Sequence, residues 1–168
     1  MIVNLWMKIY YLSIKLKQMQ IKSFKIDHKK LKPGIYINDV QKFGNTFITT
    51  HDLRFKIPNK GTYLSNSAMH SLEHLIAHFY SKYYPKDKIY FGPMGCQTGF
   101  YLVVYGKKSL DWLNQSLVKL NKFIIKSKQI PGSDAKSCGN FKNLNLITAK
   151  KEWNKWYSIR SNWQKVYK

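Results

Sequence analysis

Acidic residues are scarce in this chain: eight among 168, of which only Glu73 and Glu152 are glutamates. Arginine is scarcer still, with Arg54 and Arg160 alone in a background of lysine. The formal charge of +21 would by itself suggest a nucleic-acid or membrane partner. Three features argue against that reading: the basic residues are almost all lysine, they are spread along the whole chain, and Lys, Asn, Ile and Tyr are abundant together, as an AT-biased coding sequence would produce. In such a background a retained arginine points to a need for its planar fork, which singles out Arg54. Long hydrophobic runs are also missing. Residues 1–16 are apolar but interrupted by Lys8 and Lys15, so their uninterrupted stretches are too short to span a bilayer. They lack the small-residue cleavage site of a signal peptide. The expectation is a cytoplasmic protein with an amphipathic N-terminal extension over 1–20, in which Met19 offers an alternative start. Only two cysteines are present, Cys96 and Cys138. Without a secretory signal they read as reactive or metal-bound thiols rather than a disulfide. Internal repeats and low-complexity linkers are absent.

With 44% hydrophobic residues, the chain is long enough to bury a proper core. Residues 21–168 are expected to form one domain. Short strands are predicted at 21–26, 35–40, 46–55 and 100–105, with a short extended stretch at 86–91. The third is rich in β-branched residues, and Phe43-Gly44-Asn45 marks a turn before it. Amphipathic helices are predicted over 66–83, 110–127 and 146–163. Strands and helices do not alternate as βαβ units, so the fold class is α+β, an antiparallel sheet packed against helices. The five tryptophans read as core or interface anchors, and the tryptophan-rich last helix is expected to expose aromatic surface that suits a dimer contact.

The first of these helices carries His70-Ser71-Leu72-Glu73-His74. Two imidazoles four residues apart lie one above the other on one helical face. They can bind one metal ion with the glutamate beside them as a proton carrier. The simpler alternative is a pair of core histidines with Glu73 on the surface. The scarcity of glutamate weighs against it, since one of the two in the chain stands between the histidines. A third ligand must come from elsewhere. Cys138, on a loop opened by Pro131-Gly132, is the better candidate and Cys96 the other. Cys96 follows Gly92-Pro93-Met94-Gly95, where small residues let backbone approach a ligand. It can serve as an acid or base if a cation such as Arg54 favours its thiolate. Read as an inverted zincin motif, the same helix suggests a metallopeptidase, with Glu152 as the only glutamate left for a third ligand. A basic nucleic-acid-binding module is the remaining alternative. His78 reads as a surface or neighbouring residue, and His51 as a strand histidine.

Several stretches carry a resemblance to a known family. They are Ser23-Phe24-Lys25-Ile26-Asp27-His28, Asp52-Leu53-Arg54-Phe55, Pro58-Asn59-Lys60, His70-Ser71-Leu72-Glu73-His74-Leu75, Cys138-Gly139, and above all Pro93-Met94-Gly95-Cys96-Gln97-Thr98-Gly99-Phe100-Tyr101-Leu102. In this order they resemble S-ribosylhomocysteine lyase, the LuxS family, over about residues 21–160. The resemblance implies that His70, His74 and Cys138 hold a metal ion with water as fourth ligand. That ion is Fe²⁺ in the family, replaceable by Zn²⁺ or Co²⁺. It implies that Glu73 and Cys96 transfer protons, that Arg54 lies beside the thiol, and that Ser23 and His28 help hold substrate across a homodimer interface. The implied reaction cleaves the thioether of S-ribosylhomocysteine, without redox chemistry, to homocysteine and 4,5-dihydroxy-2,3-pentanedione, the precursor of autoinducer-2.

The chain departs from the family pattern in its N-terminal extension before Met19, which has no counterpart, and in three further places. The stretch between His74 and Cys96 is about four residues shorter by that comparison. Tyr90 stands where the family has a substrate-binding aspartate, with Asp87 as a nearby substitute. Gly92 stands next to Pro93 where a serine is shifted or missing. These departures bear on substrate binding rather than on the metal site.

Overall fold

The computed structural model describes residues 26–167. The expected strand at 21–26, Ser23 and the extension over 1–20 therefore lie outside the described residues, apart from Ile26. Four strands form one sheet: β1 (Gly34–Phe43), β2 (Thr46–Arg54), β3 (Lys88–Pro93) and β4 (Gly99–Tyr105). Their spatial order is β1-β2-β4-β3, and every neighbouring pair is antiparallel. β1 and β2 form a hairpin through Gly44-Asn45, with Phe43 opposite Thr46. Gly44 has φ +56°, at the first loop position of a two-residue turn where glycine is favoured.

Three helices pack on this sheet: α1 (Asn66–Tyr83), α2 (Leu110–Lys126) and α3 (Leu146–Ser158). Each has a side-chain cap that satisfies an otherwise unpaired amide. Ser65 accepts from Ala68 N, Ser109 from Trp112 N and Asn145 from Thr148 N. α1 buries Leu72, Leu75, Ile76, Phe79 and Tyr80, recurring at helical spacing. They meet Leu53, Phe100, Leu102 and Val104 of the sheet and Leu113, Leu117 and Leu120 of α2 in one continuous core. The result is the α+β class, with the His70/His74 helix at its centre. No helix among the described residues is long and apolar enough to cross a membrane.

The last helix differs from expectation in length and exposure. It ends at Ser158, and a 3-10 turn at Arg160–Asn162 reverses the chain. The reversal stacks Trp163 on Trp156 at 4.1 Å. Trp153, Trp156 and Trp163 are all buried. These rings are therefore core, because the turn folds the third back over the second, and they offer no exposed aromatic face.

Candidate metal and thiol site

Two groups of chemistry-bearing residues line separate cavities. The first is built on α1. His70 and His74 project from successive turns, their rings 4.8 Å apart at 80°. Cys138 reaches them from the loop after α2. That loop is shaped by Asp134, whose carboxylate accepts from the amides of Lys136 and Ser137 at 2.9 and 3.0 Å. Hydrogen bonding from the Ser137 side chain first, then from the Ser137 and Lys136 amides, holds the Asp134 carboxyl below its ordinary range. The Cys138 amide then closes on Asp134 O at 3.0 Å. One donor atom from each of His70, His74 and Cys138 lies within 4.8 Å of the others.

The geometry around these atoms fits a divalent ion. Cys138 Sγ is 3.4 Å from His70 Nε2. In a tetrahedral site with ordinary metal–sulfur and metal–nitrogen bonds, that edge would be about 3.5 Å. His74 Nδ1 lies 2.8 Å from Pro131 O. A carbonyl can only accept, so Nδ1 carries the proton and Nε2 keeps its lone pair for a metal. Gly132, at φ +68°, shapes the turn that presents this carbonyl. A nitrogen–nitrogen–thiolate set suits Zn²⁺ or Fe²⁺. Glu73, between the two histidines, lines the same open groove of about 500 Å³. His78 lines it too, exposed and stacked on Phe123.

The second group surrounds Cys96 in the turn between β3 and β4. Gln97 N bonds Met94 O at 2.9 Å, and Gln97 has φ +60°. Gly99 is obligatory here, since a Cβ would lie 2.3 Å from Leu53 O. The turn leaves Cys96 exposed. Its Sγ lies 3.0 Å from Thr98 Oγ1 and 4.0 Å from Arg54 Nη1. Arg54 is buried on β2 and also donates from Nη1 to Thr98 Oγ1 and from Nη2 to Asp52 Oδ2, each at 2.5 Å. Burial works against the Arg54 charge, but Asp52 outweighs it and the guanidinium is held charged. Burial also pushes the Asp52 carboxyl up, against the lowering effect of Arg54. His28 donates from Nδ1 to Ile26 O at 2.8 Å and lines both cavities that open on Cys96, of about 370 and 390 Å³.

Among the expected site residues, then, the fold brings His70, His74, Cys138 and Glu73 to one groove, and Cys96, Arg54 and His28 to another. The groove and the two thiol cavities share no lining residue. Asp87 pairs with Lys108 at 2.7 Å and lines none of these three cavities. The Tyr90 hydroxyl folds over Gly92, at a point 1.9 Å from where a Cβ would stand. Glu152 is tied to Lys56 at 2.6 Å and lies outside the histidine–cysteine group, which removes the acidic third ligand a peptidase reading needs. A larger groove of about 590 Å³ between α1 and α2 is lined by aromatics and lysines. It holds no thiol, carboxylate or imidazole, so the chemistry lies elsewhere.

Sequence reasoning assigned no part to Asp52, Thr98 or the Pro131 carbonyl. The signal for Asp52 was its spacing: two residues before Arg54 on a strand, it shares that residue's face.

The sequence model of the family S-Ribosylhomocysteinase (LuxS) matches residues 21–167. A protein of Finegoldia magna named S-ribosylhomocysteine lyase is 42% identical over 147 residues, which is 87% of this chain and 94% of the relative. One of the same name from Borreliella burgdorferi is 41% identical over 150 residues, 85% of this chain and 93% of the relative. Another from Clostridium beijerinckii is 42% identical over 134 residues, 78% of this chain and 84% of the relative. With its sheet, its histidine helix and its thiol turn in place, this chain belongs to the LuxS family.

Proposed function

We propose that this chain is an S-ribosylhomocysteine lyase that works as a homodimer with one divalent ion per subunit. The observation that carries the reading is the 3.4 Å approach of Cys138 Sγ to His70 Nε2 on the helix that also bears Glu73. His70, His74 and Cys138 would hold the ion, Fe²⁺ by the family resemblance, with Zn²⁺ or Co²⁺ able to replace it. Bound there, the ion would supply Lewis-acid polarisation of a sugar carbonyl oxygen.

The protein's own groups supply the rest. Cleaving a thioether at an unactivated carbon is slow. Moving the carbonyl along the ribose chain acidifies the carbon next to the sulfur-bearing one. Each move takes a proton from one carbon and returns one to its neighbour, so it needs two groups that hold protons on either side of the sugar. Cys96 Sγ and Glu73 Oε are those groups. Arg54 Nη1 stands 4.0 Å from the sulfur, the fixed cation beside this thiol. Arg54 donates to Thr98 Oγ1, which leaves the Thr98 hydroxyl proton free to point at the sulfur. Once the carbonyl adjoins the acidic carbon, Glu73 takes its proton and homocysteine leaves as the thiolate. No electron is gained or lost overall.

Because Cys96 and Glu73 open into separate cavities of one chain, a shared site requires a second copy to bring one thiol turn over the other's metal groove. His28 and Ser23 would hold substrate at that junction, and autoinducer-2 precursor would follow from the reaction. A cytoplasmic setting suits its two free thiols.

The test is incubation of anaerobically prepared, metal-loaded protein with S-ribosylhomocysteine, following thiol release with a chromogenic reagent. Stoichiometric homocysteine is expected. No release from protein with bound metal and reduced Cys96 would overturn the assignment.

A further inference from the structure

The contacts of Arg54 extend away from the thiol to a side chain that touches neither cavity. The segment Gln164–Tyr167 lies along the start of β1. Ile35 N donates to Gln164 O at 3.0 Å, and Gln164 N to Pro33 O at 3.3 Å. Gly34 makes this approach feasible, because a Cβ there would lie 2.1 Å from Gln164 O. So anchored, the segment lays the Tyr167 ring flat on Tyr36, centroids 4.5 Å apart and planes 2° apart. The Tyr167 hydroxyl donates to Asp52 Oδ2 at 3.1 Å and lies 3.4 Å from Asn38 Oδ1.

Asp52 Oδ2 therefore receives two donors, Tyr167 and Arg54, while Oδ1 has no hydrogen-bond partner among the described residues. Arg54 Nε also lacks one. The guanidinium is thus fixed by only two oxygens, Asp52 Oδ2 on one side and Thr98 Oγ1 on the other. Asp52 is fully buried, beneath the stacked tyrosines. If Tyr167 withdrew, water would reach the carboxylate. The ion pair would then be screened, and Arg54 would lose the fixed donor geometry that aims it at Thr98 and Cys96. Burial and the adjoining Asp52 charge keep the Tyr167 hydroxyl protonated, and so a donor.

We propose that Tyr167 is a positioning residue: it seals Asp52 from water and, through Asp52, fixes the Arg54 guanidinium against Thr98 and the Cys96 thiol. The inference rests on Cys96 as the acid–base thiol of the proposed lyase, but its test involves no substrate. The ionisable groups facing the thiol and its arginine are His28, Asp52 from β2 and Tyr101 from β4, with Tyr36 and Tyr167 beyond Asp52.

The experiment is the pH dependence of Cys96 alkylation by iodoacetamide in the metal-loaded full chain, with the modified peptide identified by mass spectrometry. Tyr167→Phe keeps the stack and loses the donor; Tyr167→Ala loses both. In Tyr167→Ala the profile should move to higher pH, read as alkylation slowed several-fold near neutral pH. Tyr167→Phe should move it less, in the same direction. Superimposable profiles would overturn the proposal, including the case in which the melting temperature falls and the profile does not move. If Tyr167→Ala fails to fold, Tyr167→Phe decides alone, and an unshifted profile overturns it. Failure of the lyase assignment would appear separately, as a normal alkylation shift without homocysteine release from the parent protein.

Discussion

Acid should unfold this protein in part through a histidine that has nothing to do with the metal. His51 sits in the middle of β2, fully buried, with Nε2 donating to Lys108 O at 3.0 Å. Its Nδ1 has no hydrogen-bond partner among the described residues. Burial, opposed by backbone hydrogen bonds, lowers its pKa from 6.5 to about 4. The folded chain thus keeps His51 neutral at pH values where the unfolded chain already protonates it. Its contribution is fully present above about 6.5 and lost as pH falls towards 4, where the folded form also binds the proton. The difference of about 2.5 units corresponds to roughly 3 kcal/mol, a large part of a typical domain's stability. The assay is urea denaturation of the chelator-treated protein and of His51→Gln at pH 7.5, 6, 5 and 4. Gln retains a donor for the Lys108 carbonyl but does not titrate. The stability advantage of the parent over the variant should shrink by about 3 kcal/mol across that range. Parallel stability curves would refute the argument that His51 is held neutral.

Two further substitutions separate the roles of the site residues. Cys138→Ser should strip the metal, measured by elemental analysis after dialysis, because Cys138 is the one sulfur that reaches the His70 and His74 ring nitrogens. Glu152→Gln should retain full metal content but lower stability by about 3 kcal/mol in urea, since Lys56 would be left buried without its counter-charge. Loss of metal in Glu152→Gln would revive the peptidase reading.

Much of the site could be read from the sequence because it depends on local geometry. The spacing of His70 and His74 is a property of a helix, and Ser65 and the apolar stripe from Leu72 to Phe79 made that helix identifiable. The antiparallel sheet followed from strands that do not alternate with helices. What stayed hidden depends on long-range contact. Spacing could not choose between Cys138 and Cys96 as partner of the two histidines, and the loop built on Asp134 brings Cys138, 64 residues beyond His74, to them. The end of α3 was misplaced because Trp163 continues the helical apolar period, whereas the chain reverses at Arg160–Asn162 to bury that ring. The Asp52–Arg54–Tyr167 contacts join residues 115 apart in sequence, beyond any local pattern.

The central claim is that the metal group of one copy and the thiol of another act on one substrate. Subunits carrying Glu73→Gln and subunits carrying Cys96→Ala, each inactive alone, should be mixed by co-expression and assayed for homocysteine release. Random pairing gives half heterodimers, each with one intact site of two, so about a quarter of the parent activity should return. No recovery from verified heterodimers would contradict the account, since it would place Glu73 and Cys96 in the same subunit's site or remove one of them from the reaction.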